Sequence, residues 1–177
     1  SENTEIQIDK QYSSLQFSTD FGEVQDSQLN SYVRQVGNKM AATSHRPHMP
    51  YSFRVVNATY VNAYAFPGGS IAATRGIMLE LDNEAELAAL LGHELGHVNA
   101  RHAAEQMSKG QLAQAVVGGI SVLAGTQSAA LGDLASQLGQ IGAGALLASY
   151  SRDNEREADA LGMEYMVGAG YGSKGFV

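Results

Sequence analysis

The apolar positions along the chain fall into blocks of two different periods. From Asp26 to Thr43, Leu29, Val33, Val36 and Met40 recur at i, i+4, i+7 and i+11, which predicts a helix with one buried stripe. The stretch SHRPHMP behind it carries two prolines and reads as a loop. Tyr51 to Tyr60, YSFRVVNATY, is rich in β-branched and aromatic residues and predicts a strand. VNAYAF then runs into the turn PGGS, and IAATRG returns as a further strand, so a hairpin or meander is expected around Pro67 to Ser70. The helical period resumes in LDNEAELAALLGHELGHVNARHAAEQMSKG. Asn83 and Glu86 are spaced as a capping box, Leu87, Leu90, Leu91, Leu95 and Val98 form the buried face, and Gly110 is a natural stop. SYSRDNEREADALGMEYMVGAGYG predicts a closing helix that Ser151 caps and Gly168 or Gly170 ends. Mixed periods with helix in excess predict an α+β domain.

Two segments stand outside this pattern. Residues 1–25 are polar with few apolar positions and read as a loosely structured or docking arm. Residues 111–148 are dominated by Gly, Ala, Ser and Gln, with Asp133 their one charged residue. The most apolar run there, Leu112 to Gly125, includes Gln114 and is short of the roughly 20 apolar residues that span a bilayer. It is read instead as a closely packed helical pair or a mobile flap, and its apolarity marks a surface for contact with a membrane or an outer-membrane protein.

A chain of 177 residues suits one domain, and 44% hydrophobic residues provide for a buried core. The net charge is −7, and the basic residues form no stripe, so nucleic acid is not an expected partner. There is no cysteine, which excludes disulfides and thiolate metal sites. The start is polar and has no leader, so a leader is taken to be missing from an extracytoplasmic protein, with a cytoplasmic one as the alternative. The chain stops only 22 residues after Glu155 with no stop signal, so the domain or protein is expected to continue.

The chemistry lies in His93-Glu94-Leu95-Gly96-His97. Residues four apart on a helix are about 40° apart around its axis and one turn along it, so both imidazoles can bind one ion. Glu94 leans to the side of that ion, where a carboxylate can take a proton from a water that the metal acidifies. A catalytic zinc takes a third protein ligand. In NEREAD, Glu155 can ligate, and Asp159, one turn on, can accept a hydrogen bond from the outer N–H of a ligating histidine. Glu157 is the rival ligand, because it lies about 200° from Glu155 and only one of the two can face the ion. A charged solvent face accounts for the same run without any metal.

HELGHVNARH followed by SRDNEREAD resembles the HtpX and CAAX-prenyl-protease family of zinc metallopeptidases, and VNAYAFPGGSIAATRGIM is similar to the segment this family places before its catalytic helix. The resemblance covers about Asn57 to Tyr171. It implies a gluzincin: a mainly helical, minigluzincin-like zincin with a small sheet whose edge strand precedes the catalytic helix. It implies one zinc per chain on His93, His97 and Glu155, with Glu94 as base and Asp159 orienting His93. It further implies an extended peptide substrate on the edge strand at Asn62, Ala63, Tyr64 and Ala65, which suits main-chain pairing. With no clear spanning helices, the chain looks like the soluble branch, many of whose members are exported bacterial proteins acting in the periplasm on outer-membrane assembly.

These readings predict a zinc metalloendopeptidase in extracytoplasmic protein quality control. The alternative is a chaperone-like or scaffold module with a structural or latent zinc. The residue that stabilises the oxyanion is not evident; His102, Arg101, Tyr165, Tyr171 and Arg75 are the candidates.

Overall fold

The computed structural model describes residues 1–109 and 150–172. The expectations for 111–148 lie outside these residues. Among those described, no helix is long and apolar enough to cross a membrane.

The fold is mostly helical around a small sheet, as an α+β chain should be. Helix α1 is Glu2–Thr19 and α2 is Ser27–Ala41. Strands β1 (Ser52–Val56), β2 (Ala63–Ala65) and β3 (Ser70–Thr74) follow, then the short α3 (Arg75–Met78). Helix α4 is Glu84–Ala100, residues 102–109 are helical again, and the closing helix α5 is Arg152–Gly168. The strand order is β1-β3-β2, with β1 parallel and β2 antiparallel to β3. The expected hairpin is thus β2–β3, and β2 is an edge.

Alternation in the strands supplies two apolar faces. Phe53, Val55, Ala65 and Ile71 point into the main core, where they meet Val33, Val36 and Met40 of α2, Leu87, Leu91, Leu95 and Val98 of α4, and Tyr165 and Met166 of α5. Each fully buried aliphatic side chain there contributes about 1.5–3 kcal/mol. The opposite face, with Val56, Tyr64, Phe66 and Ala72, is covered by Phe17, Ile8 and Tyr12 of α1 and by Ala103 and Met107.

Residues 1–25 are therefore not loosely structured. The buried line of α1 is Glu5, Asp9, Ser13 and Phe17, spaced four apart and mostly polar. An apolar-stripe search passes over such a helix. Its carboxylates are nonetheless paired: Glu5 accepts from Arg46 at 2.9 Å and Arg101 at 3.0 Å, and Asp9 accepts from the Ser70 backbone at 2.9 Å. Burial of charge is tolerated where such partners satisfy it.

Asn83 caps α4 as expected, accepting from the Glu86 amide at 3.1 Å. The return arm differs from a standard capping box, since Glu86 accepts from the amide of Asp82 at 2.8 Å rather than from that of Asn83. Helix α5 has the full box between Ser151 and Asn154. The predicted continuous helix up to Gly110 is broken at Arg101, which adopts φ 63°. Only Gly or Asn ordinarily signals such a left-handed stop, so arginine gave no cue.

Candidate metal centre

Helices α4 and α5 touch backbone to backbone. A Cβ on Gly96 would lie 2.5 Å from the carbonyl oxygen of Ala158, and one on Gly162 would lie 2.7 Å from the carbonyl carbon of Gly92. Small residues at 92 and 96 meet small residues at 158 and 162, so one turn of each helix passes close to the other. That contact carries Glu155, near the start of α5, to the histidines of α4.

The Nε2 atoms of His93 and His97 are 2.9 Å apart. Glu155 places Oε2 3.2 Å from the first and Oε1 3.7 Å from the second. A tetrahedral zinc with bonds of roughly 2.0–2.2 Å keeps its donors about 3.3–3.6 Å apart, so the observed separations bracket the required one. The far nitrogens explain the polarity of the group. His93 Nδ1–H donates to Asp159 Oδ1 at 2.7 Å, which leaves the Nε2 lone pair facing the other donors. Burial, with the charges of His93 and His102, pushes the His97 pKa down to about 3, so that ring is neutral near pH 7. Two imidazole lone pairs and a carboxylate thus converge, an arrangement that a cation relieves. Among the described residues the set stops at these three donors.

Glu157 faces elsewhere. Its Oε2 is 3.2 Å from Nε2 of His102, and of the two glutamates only Glu155 meets the histidine pair. Glu94 is buried beside the group; burial, offset by His93 and reinforced by Glu155, pushes its carboxyl up to about 7.

Four of the five oxyanion candidates are committed elsewhere. His102 lies behind His97, against the nitrogen turned away from the donors. Arg101 pairs with Glu5, Tyr165 is buried in the core with its hydroxyl on His45, and Tyr171 donates to Glu84 at the start of α4. Arg75 is exposed on α3. The residue that sequence reasoning missed is Tyr150, whose ring stacks on His97 with centroids 4.1 Å apart. Burial and the charges of Glu94 and Glu155 raise its phenol pKa. It lies just outside the helical pattern of α5, where no periodicity marks it.

Helix α4 also packs against β2, so the edge strand runs beside the helix that holds the histidines. Asn62 is exposed, Ala63 is half-buried, and Tyr64 and Ala65 are buried. The Tyr64 hydroxyl donates to Asp20 at 2.6 Å, away from the edge.

Residues 27–177 match the model of peptidase family M48. The chain belongs to that family. The resemblance to a zinc-metallopeptidase family is thereby borne out for the span that includes every donor above. Among curated relatives of this M48 chain, the β-barrel assembly-enhancing protease of Yersinia pestis is 33% identical over 84% of the chain and 31% of its own length. Metalloprotease YcaL of Escherichia coli (strain K12) is 32% identical over 84% of the chain and 55% of its own length. The mitochondrial metalloendopeptidase OMA1 of Arabidopsis thaliana is 32% identical over 84% of the chain and 29% of its own length. The chain thus spans from 29% to 55% of the length of these relatives.

Proposed function

We propose that the chain is a zinc-dependent metalloendopeptidase that hydrolyses internal peptide bonds of extended protein substrates. The observation that carries this reading is the convergence of His93 Nε2, His97 Nε2 and the Glu155 carboxylate, with the outer nitrogen of each histidine engaged elsewhere. Such a three-donor set leaves a tetrahedral position for substrate or water, whereas a structural zinc takes four protein ligands. When bound, the ion polarises the scissile carbonyl and acidifies a water.

The chain's own residues do the rest. Glu94 takes the proton as the water attacks and returns it to the leaving amine; a carboxyl pushed up to about 7 by burial is matched to both transfers. Asp159 holds His93 in the tautomer that presents Nε2. The outer edge of β2, from Asn62 to Ala65, aligns the substrate by main-chain hydrogen bonds. Relatives named β-barrel assembly-enhancing protease support protein clients in β-barrel assembly; a periplasmic location and a part in protein quality control belong to the same proposal.

Metal content and cleavage of an unfolded protein test the reading together. The wild type is expected to hold one zinc per chain and Glu155→Ala to lose most of it. Glu94→Gln is expected to keep zinc while its turnover falls by at least about 10²–10⁴-fold. A wild type without zinc, or a Glu94→Gln variant that cleaves normally, would sink it.

A further inference from the structure

Each metal-facing histidine has a second nitrogen, and the two are served differently. Asp159 serves His93. His97 turns Nδ1 to Nδ1 of His102 at 2.9 Å, and Nε2 of His102 lies 3.2 Å from Glu157 Oε2. His102 is 1% exposed, whereas the Glu157 side chain is 59% exposed. The protons follow from the acceptor at the end of the chain. A carboxylate at Glu157 only accepts, so Nε2 of His102 carries the proton and its Nδ1 is a lone pair. That lone pair accepts from His97 Nδ1–H, which leaves Nε2 of His97 bare on the side of His93 and Glu155. The reverse assignment would put a proton between the two histidines, where the ion belongs.

The backbone is shaped for this contact. On an uninterrupted helix, residues five apart lie about 140° apart around the axis, and their rings do not meet. Helix α4 instead stops at Ala100, and Arg101 takes the left-handed conformation at φ 63°. Residues other than glycine adopt this conformation at a steric cost. The chain turns, and the rings of His97 and His102 come to 5.0 Å between centroids. The Arg101 guanidinium is tied to the buried Glu5 of α1 at 3.0 Å, so the first helix steadies the turn.

We propose that His102, backed by Glu157, is a positioning residue that fixes the tautomer and ring orientation of His97 for metal binding, and that the left-handed turn at Arg101 places it there. This rests on the reading of His93, His97 and Glu155 as metal ligands. His102 touches no reacting atom; it acts through His97. Being buried, it carries most of the effect, and the exposed Glu157 carries the lesser part.

The test compares zinc affinity, by competition with a chelating dye, for the wild type, His102→Leu and His102→Asn, alongside thermal unfolding of each without metal. Asn can place its Oδ1 where Nδ1 of His102 sits and so still accept from His97. The expected result is roughly 10–100-fold weaker zinc binding in His102→Leu, the usual cost of losing such a partner, with His102→Asn close to the wild type. Unchanged affinity in the Leu variant overturns the proposal. So does equal weakening in both variants, which would trace to packing rather than to the acceptor. Should the Leu variant fail to fold, long-range 1H–15N spectra of the zinc-loaded wild type decide. They are expected to show His97 protonated at Nδ1 and His102 protonated at Nε2 alone; any other tautomer pair overturns it. A wild type that binds no zinc removes the metal reading itself, and a failure confined to His102 leaves that reading intact.

Discussion

Asp159 and His102 stand in the same relation to the two histidines but in different surroundings. The Asp159 side chain is 56% exposed, so solvent screens its hydrogen bond to His93. Its removal is therefore expected to cost less than removal of the buried His102. Asp159→Ala should weaken zinc binding by about tenfold, the lower end of the range for such partners, and Asp159→Asn, which keeps an acceptor, by less. Chelator competition checks both. Equal affinity in Asp159→Ala and wild type would show that His93 needs no partner to hold its tautomer. The same residue-level reasoning separates Glu155 from Glu157. Sequence spacing put the two on opposite sides of a helix but could not say which side faces α4; the packing of α5 decided it.

At the level of elements, the site depends on how closely α4 and α5 approach. Gly96→Ala would gain about 1 kcal/mol of helix propensity. It would also drive a Cβ to within 2.5 Å of the Ala158 carbonyl oxygen, a backbone atom that cannot swing aside. Overpacking of this kind costs about 1–3 kcal/mol, and a backbone clash belongs at the upper end, so a net loss of about 1–2 kcal/mol is expected. Glu155 lies one turn before Ala158, so zinc affinity should fall as well. Thermal unfolding and zinc titration of the same variant check the pair. A variant as stable as wild type with full zinc affinity would mean that the helices can separate without moving the glutamate. The glycine inside HELGH was visible in the sequence, but its partner on α5 was not.

Across the whole molecule, tyrosines tie the elements together through carboxylates. The Tyr60 hydroxyl donates to Asp20 at 3.0 Å and that of Tyr171 to Glu84 at 2.7 Å. Burial and these neighbours push both phenols from 10.0 up to about 12. Burial does the same to Tyr165. A raised pKa in the folded state means that between about pH 10 and 12 the unfolded chain releases phenolic protons that the folded chain keeps. The unfolded state then binds fewer protons, and stability falls as pH rises. The contribution is complete below pH 10 and is lost as pH climbs through about 12. Denaturant midpoints at pH 8, 10 and 11 should show the decline beginning near 10, and Tyr60→Phe should make it shallower. A profile that the substitution leaves unchanged would count against the Tyr60–Asp20 link as its source.

Local order along the chain was enough for much of this protein. The stripe of α2, the hairpin at Pro67 to Ser70, the cap of α4 at Asn83 and that of α5 at Ser151 all rest on residues within a few positions of one another. So does the i, i+4 pairing of His93 with His97. Period and capping chemistry act at that range, and the sequence displays them directly. Tertiary structure decided the rest. It made a helix of Glu2–Thr19, within the segment read as a loose arm, because the charges along its buried line, Glu5 and Asp9, find partners at Arg46, Arg101 and Ser70. It broke the long helix at Arg101 and turned His102 back onto His97. It turned Glu155 to the histidine pair and Glu157 to His102, and set Tyr150 on the ring of His97. Each of these depends on groups brought together from distant parts of the chain, and their energies exist only once the helices have packed.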